Sequence, residues 1–504
     1  MKSNIDFKVL LIYPNTMMAT LLPLNISLLS ACLKKAGFRV ELFDTTYYPT
    51  EKINFEQKKV QLLQIKPYNI GEAGISLKKT DIYKDLQNKI SEYQPDLVAV
   101  TLVEDTFELA SNLLKCVRKH TDAPIIAGGV YVYSSAESLV KEDFIDMLCV
   151  GEGEEALVEL CQQICRGEDI TKIPNIWVKK NGEVFKNDMR PPINLDELPF
   201  LDFDIFEESR IARPMHGRIF RMLHVELDRG CPYSCTYCEA SAIRKQYKAC
   251  TKFQYYRQKS SNRIIAEMKY LKEKYTPDYV NFDSEAFLAK SVKSLKELAE
   301  QYKKEINLPF WCQSRPETVT EEKMRIIKDM SCADLQYGIE HGNYEFRRKM
   351  LNRQVSNERM LKACWIAEKF EIPYTVNNMI GFPGETRELV WDTIMFNRQI
   401  KPKTINCYFF TPYRGTWLYK YCVENGYLDP NSKTHQVLDG GDIKYDKITR
   451  EELYGLQRTF SLYARLGEEW FPKIRIAEKF DEQGNRMFEE LKKEFYRVMN
   501  WDVR

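Results

Sequence analysis

The chain has 504 residues, with 74 lysines and arginines against 72 aspartates and glutamates, for a formal net charge of +2. That length exceeds one ordinary hydrophobic core and predicts two or three domains, and the near-balance of charge excludes a global field that would draw the protein to nucleic acid or an anionic membrane. No run of about 18 uncharged apolar residues could span a bilayer, the apolar run in MKSNIDFKVLLIYPN is too short for a signal peptide, and 14 cysteines outside any even, secreted-style framework fit a reducing cytoplasm.

The first third alternates strands and helices. Phe7 to Tyr13, Arg39 to Phe43, Asp96 to Thr101, Pro124 to Ala127 and Ile145 to Val150 are short apolar runs, and amphipathic segments such as Leu24 to Lys35 lie between them. The pattern is that of a doubly wound parallel α/β sheet, whose ligands sit beyond the carboxyl ends of the strands. Those ends carry Asn15, Thr101, Gly128, Gly129, Gly151 and Glu152. Glycines there allow close backbone approach, although a glycine pair is as readily a plain turn. The lysine-rich stretch from Tyr48 to Lys79 is too long for an ordinary connection and is read as an insertion or a lid.

Ile176 to Lys186 reads as a hairpin turning at Asn181-Gly182, and Pro191-Pro192 with the acidic run Leu195 to Asp204 as an extended linker. Beyond it stands Asp228-Arg-Gly-Cys-Pro-Tyr-Ser-Cys-Thr-Tyr-Cys-Glu239, which offers Cys231, Cys235 and Cys238 but no fourth thiol nearby. A structural zinc or a closed iron-sulfur site takes four protein ligands, so three clustered cysteines imply a metal position left open for a substrate or cofactor. The bland alternative is three buried small hydrophobes.

The C-x3-C-x2-C spacing, flanked by Gly230 and Pro232, closely resembles that of the radical SAM enzymes. The resemblance implies that Cys231, Cys235 and Cys238 hold three irons of a 4Fe-4S cluster and that S-adenosylmethionine (SAM) chelates the fourth. Reductive cleavage of SAM then gives a 5'-deoxyadenosyl radical. With this loop downstream, residues 1 to about 165 resemble the cobalamin-binding domain of cobalamin-dependent radical SAM enzymes, on layout and on "PLNISLLSACLKKAGFRVELFD" and "GGVYVYSSAESL". The Asp-x-His-x-x-Gly signature that gives cobalt a lower histidine is absent, and His120 reads as a helix C-terminal residue. Cobalamin is therefore expected without a protein histidine ligand, the alternative being a scaffold domain that binds none.

From about Arg221, six strand-helix units recur, with strands near Met222–Leu227, Tyr279–Phe282, Phe310–Gln313, Leu335–Ile339, Tyr374–Ile380 and Ile405–Phe410. They match the family's partial (β/α)6 barrel, whose site lies at the carboxyl ends of the strands. By resemblance, Tyr237 packs by the adenine. Asp283 or Glu285 accepts from the SAM amino group. Gln313 and Arg315 end the third strand, Arg315 suiting a carboxylate of SAM or substrate, or else a surface ion pair. Glu340, in Gly-Ile-Glu-His-Gly, meets the ribose or amino group, and Ile380 and Gly381, in Gly-Phe-Pro-Gly-Glu, meet adenine. Glu385 is read as capping the next helix and His341 as a solvated helix-start residue, with contact to substrate as the alternative.

The remaining cysteines form no second loop. Cys312 and Cys407 are candidates to face the barrel lumen. The aromatic-rich tail from Ile448 is read as helical and packed, in a position to close the barrel over substrate.

The expected organisation is a cobalamin-binding-like domain over 1–170, a hairpin and linker over 171–215, the partial barrel over 216–430 and a helical C-terminal region over 431–504. The expected function is methylation of an unactivated carbon of a small-molecule or natural-product substrate, with 4Fe-4S, SAM and cobalamin as cofactors. The expected partners are the substrate and an electron donor such as flavodoxin or ferredoxin, in the cytoplasm. A radical SAM cyclase, rearrangement or oxidative enzyme is the first alternative, and a non-catalytic corrinoid or iron-sulfur sensor the second.

Overall fold

The computed structural model describes residues 3–501. Its first sheet takes β1 (Lys8–Tyr13), β2 (Arg39–Asp44), β3 (Leu97–Thr101), β4 (Ile125–Gly128), β5 (Met147–Cys149), β6 (Ile176–Lys180) and β7 (Glu183–Phe185) in the order β2-β1-β3-β4-β5-β6-β7. β1 to β5 pair in parallel, and all five residues of β3 are buried, as strands covered on both faces require. The hairpin β6–β7 pairs antiparallel onto β5, so the sheet is mixed and the hairpin belongs to it rather than to the linker.

The second sheet takes β8 (Ala212–Met215), β9 (Arg218–Glu226), β12 (Tyr279–Asp283), β13 (Phe310–Ser314), β14 (Cys332–Glu340), β15 (Tyr374–Ile380) and β16 (Thr404–Phe409) in the order β16-β15-β14-β13-β12-β9-β8. β9 to β16 run parallel as the six expected barrel strands, and β8 adds an antiparallel edge. A short ribbon of β10 (Asp228–Arg229) and β11 (Arg257–Gln258) flanks the cysteine loop. Helices after the barrel strands start on Ser260, Ser291, Thr320, Ser356, Thr386 and Thr416, whose hydroxyls each accept an amide three residues on. These caps fix where each helix leaves the carboxyl rim.

The first part of the insertion, Tyr48 to Ile53, lines a cavity beyond β1 and β3 together with Asn15 and Asp105, and its next part reaches the barrel. Its helix Phe55–Gln61, started by an Asn54 capping box, docks against the barrel. Gln64 Nε2 donates to the Cys407 carbonyl at 2.9 Å, Phe55 stacks on Tyr408 at 6.4 Å, and Lys58 pairs with Asp439 at 2.6 Å. The tail is helical over Arg450–Arg465, Phe471–Ala477 and Glu482–Val498, and Phe460, Tyr463, Phe488, Phe495 and Tyr496 are buried in the core.

The domains are joined by buried ion pairs beside the cysteine loop. Arg229 Nη1 lies 2.8 Å from Glu152 Oε1 and 2.7 Å from Glu154 Oε1, and its Nε 3.0 Å from Glu226 Oε1. Arg257 also pairs with Glu152, whose Oε2 accepts from the Ile193 amide at 2.8 Å. Glu152, read from sequence as a cobalamin contact, thus has its carboxylate engaged in the domain junction. Glu152→Ala leaves two buried guanidiniums short of a partner and is expected to cost about 3 kcal/mol, read as a lower urea midpoint. Glu155→Ala, at an exposed carboxylate, is expected to leave the midpoint unchanged.

Candidate active site at the barrel rim

The cysteine loop leaves β10 at Gly230, whose φ of +86° and lack of a side chain let the chain turn under Tyr255, 2.8 Å from where a Cβ would stand. It ends where Cys238 precedes helix Glu239–Thr251. All three thiols are free and half-buried. Burial, with Glu285 adding, pushes Cys231 up to about 11 and Cys238 up to about 12, so positive charge from bound iron is what would hold them as thiolates.

Arg315 Nη1 lies 3.1 Å from Cys235 Sγ, with the guanidinium over the Tyr233 ring at 3.8 Å. Its Nε donates to Glu317 at 2.6 Å, so Arg315 is a loop-side cation with a partner, not a surface ion pair. Glu340 has a φ of +68°, a conformation disfavoured for a side-chain residue, and its Oε1 accepts from buried Arg353 at 2.8 Å. Gly338 is needed beneath it, because a Cβ there would stand 2.2 Å from Glu340 Oε1. Arg353 is also 3.7 Å from Glu317. Glu340, Arg353, Glu317, Arg315 and Cys235 therefore form one charged chain along the rim.

Tyr237 and Met379 pack against the apolar group of Phe382, Phe410 and Leu351. The Ile380 side chain does not: it is fully buried in the main core between strands and helices. Strand alternation places Met379 inward and Ile380 outward. Gly381, at φ +80°, stays inward beneath Tyr445. Asp283 Oδ2 is 3.4 Å from His224 Nδ1, and Glu285 stands open to water, close enough to Cys231 and Cys238 to act on both. Gln313, in register with Gln336, faces the lumen one rung below Arg315.

Three further expectations are corrected. His341 is fully buried, with Nε2 3.0 Å from Glu385 Oε1 and Nδ1 accepting the Asn343 amide. Glu385 does not cap a helix, since Thr386 does. Its other oxygen accepts the Gly381 and Phe382 amides at 2.5 and 3.0 Å and so shapes the turn after β15. Cys312 and Cys407 both lie in the core behind the strands, not in the lumen.

The first domain holds a cavity of about 440 Å³ at the carboxyl ends of β1, β3, β4 and β5, bounded on the barrel side by Arg229, Ile243 and Tyr255. Thr101, Gly128, Gly129, Gly151 and Glu152 line it as expected, with Leu24 and Leu157 as apolar walls. Gly129 has a φ of +104°, and a Cβ there would stand 2.6 Å from the Leu102 carbonyl. Asn15 is not part of it: its Nδ2 donates to Ala19 O and Thr46 Oγ1, and the residue borders a separate cavity. His120 ends helix Phe107–His120 at the opposite edge of the sheet and contacts the Cys116 carbonyl at 2.9 Å.

Residues 225–396 match the Radical SAM superfamily and residues 15–161 the B12 binding domain. This chain carries a radical SAM domain and a B12-binding domain. It is 26% identical over 410 residues to an uncharacterized methyltransferase of Pyrococcus horikoshii, across 80% of this chain and 84% of that one. It is 22% identical to the anaerobic magnesium-protoporphyrin IX monomethyl ester cyclase of Rubrivivax gelatinosus over 396 residues, 76% of this chain and 68% of the other. Its fold is similar to that of the radical SAM methyltransferase TsrM from Kitasatospora setae, solved with cobalamin and a [4Fe-4S] cluster, at a TM-score of 0.66 and 16% identity over 98% and 99% of the two chains.

The residues present fit the cofactors of such an enzyme. Three thiols of one loop would supply the cluster's protein ligands, and the largely apolar, glycine-edged cavity near the start of that loop suits part of a cobalamin, with no histidine lining it among the described residues. Sequence reasoning missed Arg353 and Glu317, which hold Glu340 and Arg315, because nothing in their local sequence marks a partner that only folding brings near. Met379 was accessible through strand alternation. In this radical SAM enzyme Cys235→Ala is expected to reduce bound iron from about four per chain to near zero while leaving cobalamin uptake intact, measured by iron and cobalt analysis after anaerobic reconstitution. Glu340→Gln is expected to weaken SAM binding roughly tenfold with iron content unchanged, measured by equilibrium dialysis.

Proposed function

We propose that this enzyme is a cobalamin-dependent methyltransferase acting on an unactivated carbon of a small molecule or natural product. The observation that carries the reading is the placement of a corrinoid-suited cavity at the start of the cysteine loop, with Arg229 lining the cavity two residues before Cys231. Loaded, such a site would combine reductive SAM cleavage with methyl carriage.

The chain's own contribution is positioning. Glu340, fixed by Arg353, and Asp283 or Glu285 would accept from the SAM amino group and ribose. Tyr237, Met379 and the Gly381 backbone would enclose adenine, with Arg315 near the SAM carboxylate. The Glu385–His341 pair holds the adenine-side turn in one conformation. The packed tail and the docked insertion would limit water access around a reactive carbon radical. The electron would come from a small redox protein such as flavodoxin or ferredoxin.

The test is anaerobic incubation of cobalamin-loaded, reconstituted enzyme with methyl-deuterated SAM, a low-potential reductant and cell extract. Deuterated methyl in a small-molecule product, with S-adenosylhomocysteine and 5'-deoxyadenosine formed together, is expected. 5'-Deoxyadenosine without S-adenosylhomocysteine would move the enzyme to the cyclase, rearrangement or oxidative class, in line with its cyclase relative. No SAM cleavage at all would favour a sensor.

A further inference from the structure

Below the rim the barrel interior is polar and unusually cationic. The inward positions of the strands carry His224, Asn281, Gln336, Asn377, Asn406 and Tyr408, while the alternate residues fill the core behind. At the lower end is a cavity of about 340 Å³, closed by the β8–β9 turn and by residues 55–68 of the insertion. Phe55, Tyr68, Trp311 and Trp501 give it aromatic walls.

Four cations border this cavity: Lys59, Lys66, Arg213 and Lys403. Among the described residues none of them has a carboxylate within ion-pair distance. Of the two carboxylates lining the cavity, Asp334 is paired with His216 and also faces Lys403, while Glu56, together with Asp283, acts on Arg213 from beyond ion-pair distance. Arg213 projects inward from β8, and its Nη1 is buried with no hydrogen-bond partner. Neutralising a guanidinium is not an available escape, so an unpartnered one inside a protein is costly unless a ligand completes it.

We infer that the lower lumen is the substrate pocket and that Arg213 anchors an oxyanion of the substrate, a carboxylate or a phosphate, taken in the bidentate manner guanidinium favours. The inference rests on the proposed function for the chemistry at the rim but not for binding. From Gln336, at the level of the cavity, to Glu340 at the rim is four residues of β14, or roughly 13 Å at about 3.3 Å per residue. The substrate therefore places its reacting carbon about that far from its anionic end, with an apolar or aromatic body between. The insertion of the first domain, through Phe55, Lys59 and Tyr68, reads that end.

Calorimetric titration of the reconstituted full chain with inorganic phosphate and, separately, with phenylacetate tests this. At least one anion is expected to bind at one site per chain with Kd below roughly 10 mM. Arg213→Gln is expected to weaken it at least about tenfold, Arg213→Lys less, and the exposed Lys293→Gln not at all. Phosphate alone would identify a phosphoester substrate, and phenylacetate, with or without phosphate, a carboxylate. Lys403→Gln serves as a second variant if Arg213→Gln misfolds, with weakening again expected. Binding of neither anion, or unchanged binding in the Arg213 and Lys403 variants, overturns the inference. Substrate-free SAM cleavage, measured in parallel, would survive that result if the proposed function stands.

Discussion

The structure depends on one guanidinium placed two residues before the first cluster cysteine. Arg229 meets Glu152 and Glu154 of the first domain and Glu226 of the barrel, so a single side chain fixes the edge of the B12-binding sheet against the start of the cysteine loop. Such a buried network adds little net stability compared with apolar packing, but breaking it is costly because it strands charge. Its effect here is specificity of placement: two cofactor sites on separate domains are held at one distance. Radical chemistry needs that, because a reactive carbon must meet its partner before it meets water or a stray hydrogen donor.

A second charged chain, Glu340–Arg353–Glu317–Arg315, runs from the fourth barrel strand to Cys235 and gives the rim its rigidity. It holds Glu340 at a positive φ that an unconstrained glutamate would leave. The strain is local and lies where a cofactor would be gripped. Beneath this chain the lumen carries amides, phenols and cations that, among the described residues, have no carboxylate within ion-pair distance, instead of the branched aliphatics of a closed barrel core. The first domain thereby serves two ends of the barrel, its sheet edge facing the cysteine loop and its insertion closing the floor.

Most of the fold was legible because its signals are local. Apolar runs gave the strands to within a few residues, and Cys231, Cys235 and Cys238 gave an open metal position by their spacing and the cluster by resemblance. Resemblance supplied Tyr237, Glu340 and Gly381, all of which the structure brings to the rim. Where the reading slipped, the reason was an interaction distant in sequence. His341, read as solvated, turned to a carboxylate forty-four residues on, which was itself read as a helix cap.

By itself, then, the sequence determined the two-domain order, the three-thiol loop and the strand rhythm, since these follow from periodicity and spacing that a neighbouring residue can satisfy. Only the tertiary structure decided which carboxylates are engaged in the domain junction, that Met379 rather than Ile380 faces the Phe382 group at the rim, and that residues 55–68 of the insertion lie under the barrel beside Arg213. Those facts depend on which buried charges meet across long sequence separations, and a charge in sequence carries no mark of the partner that burial will force on it.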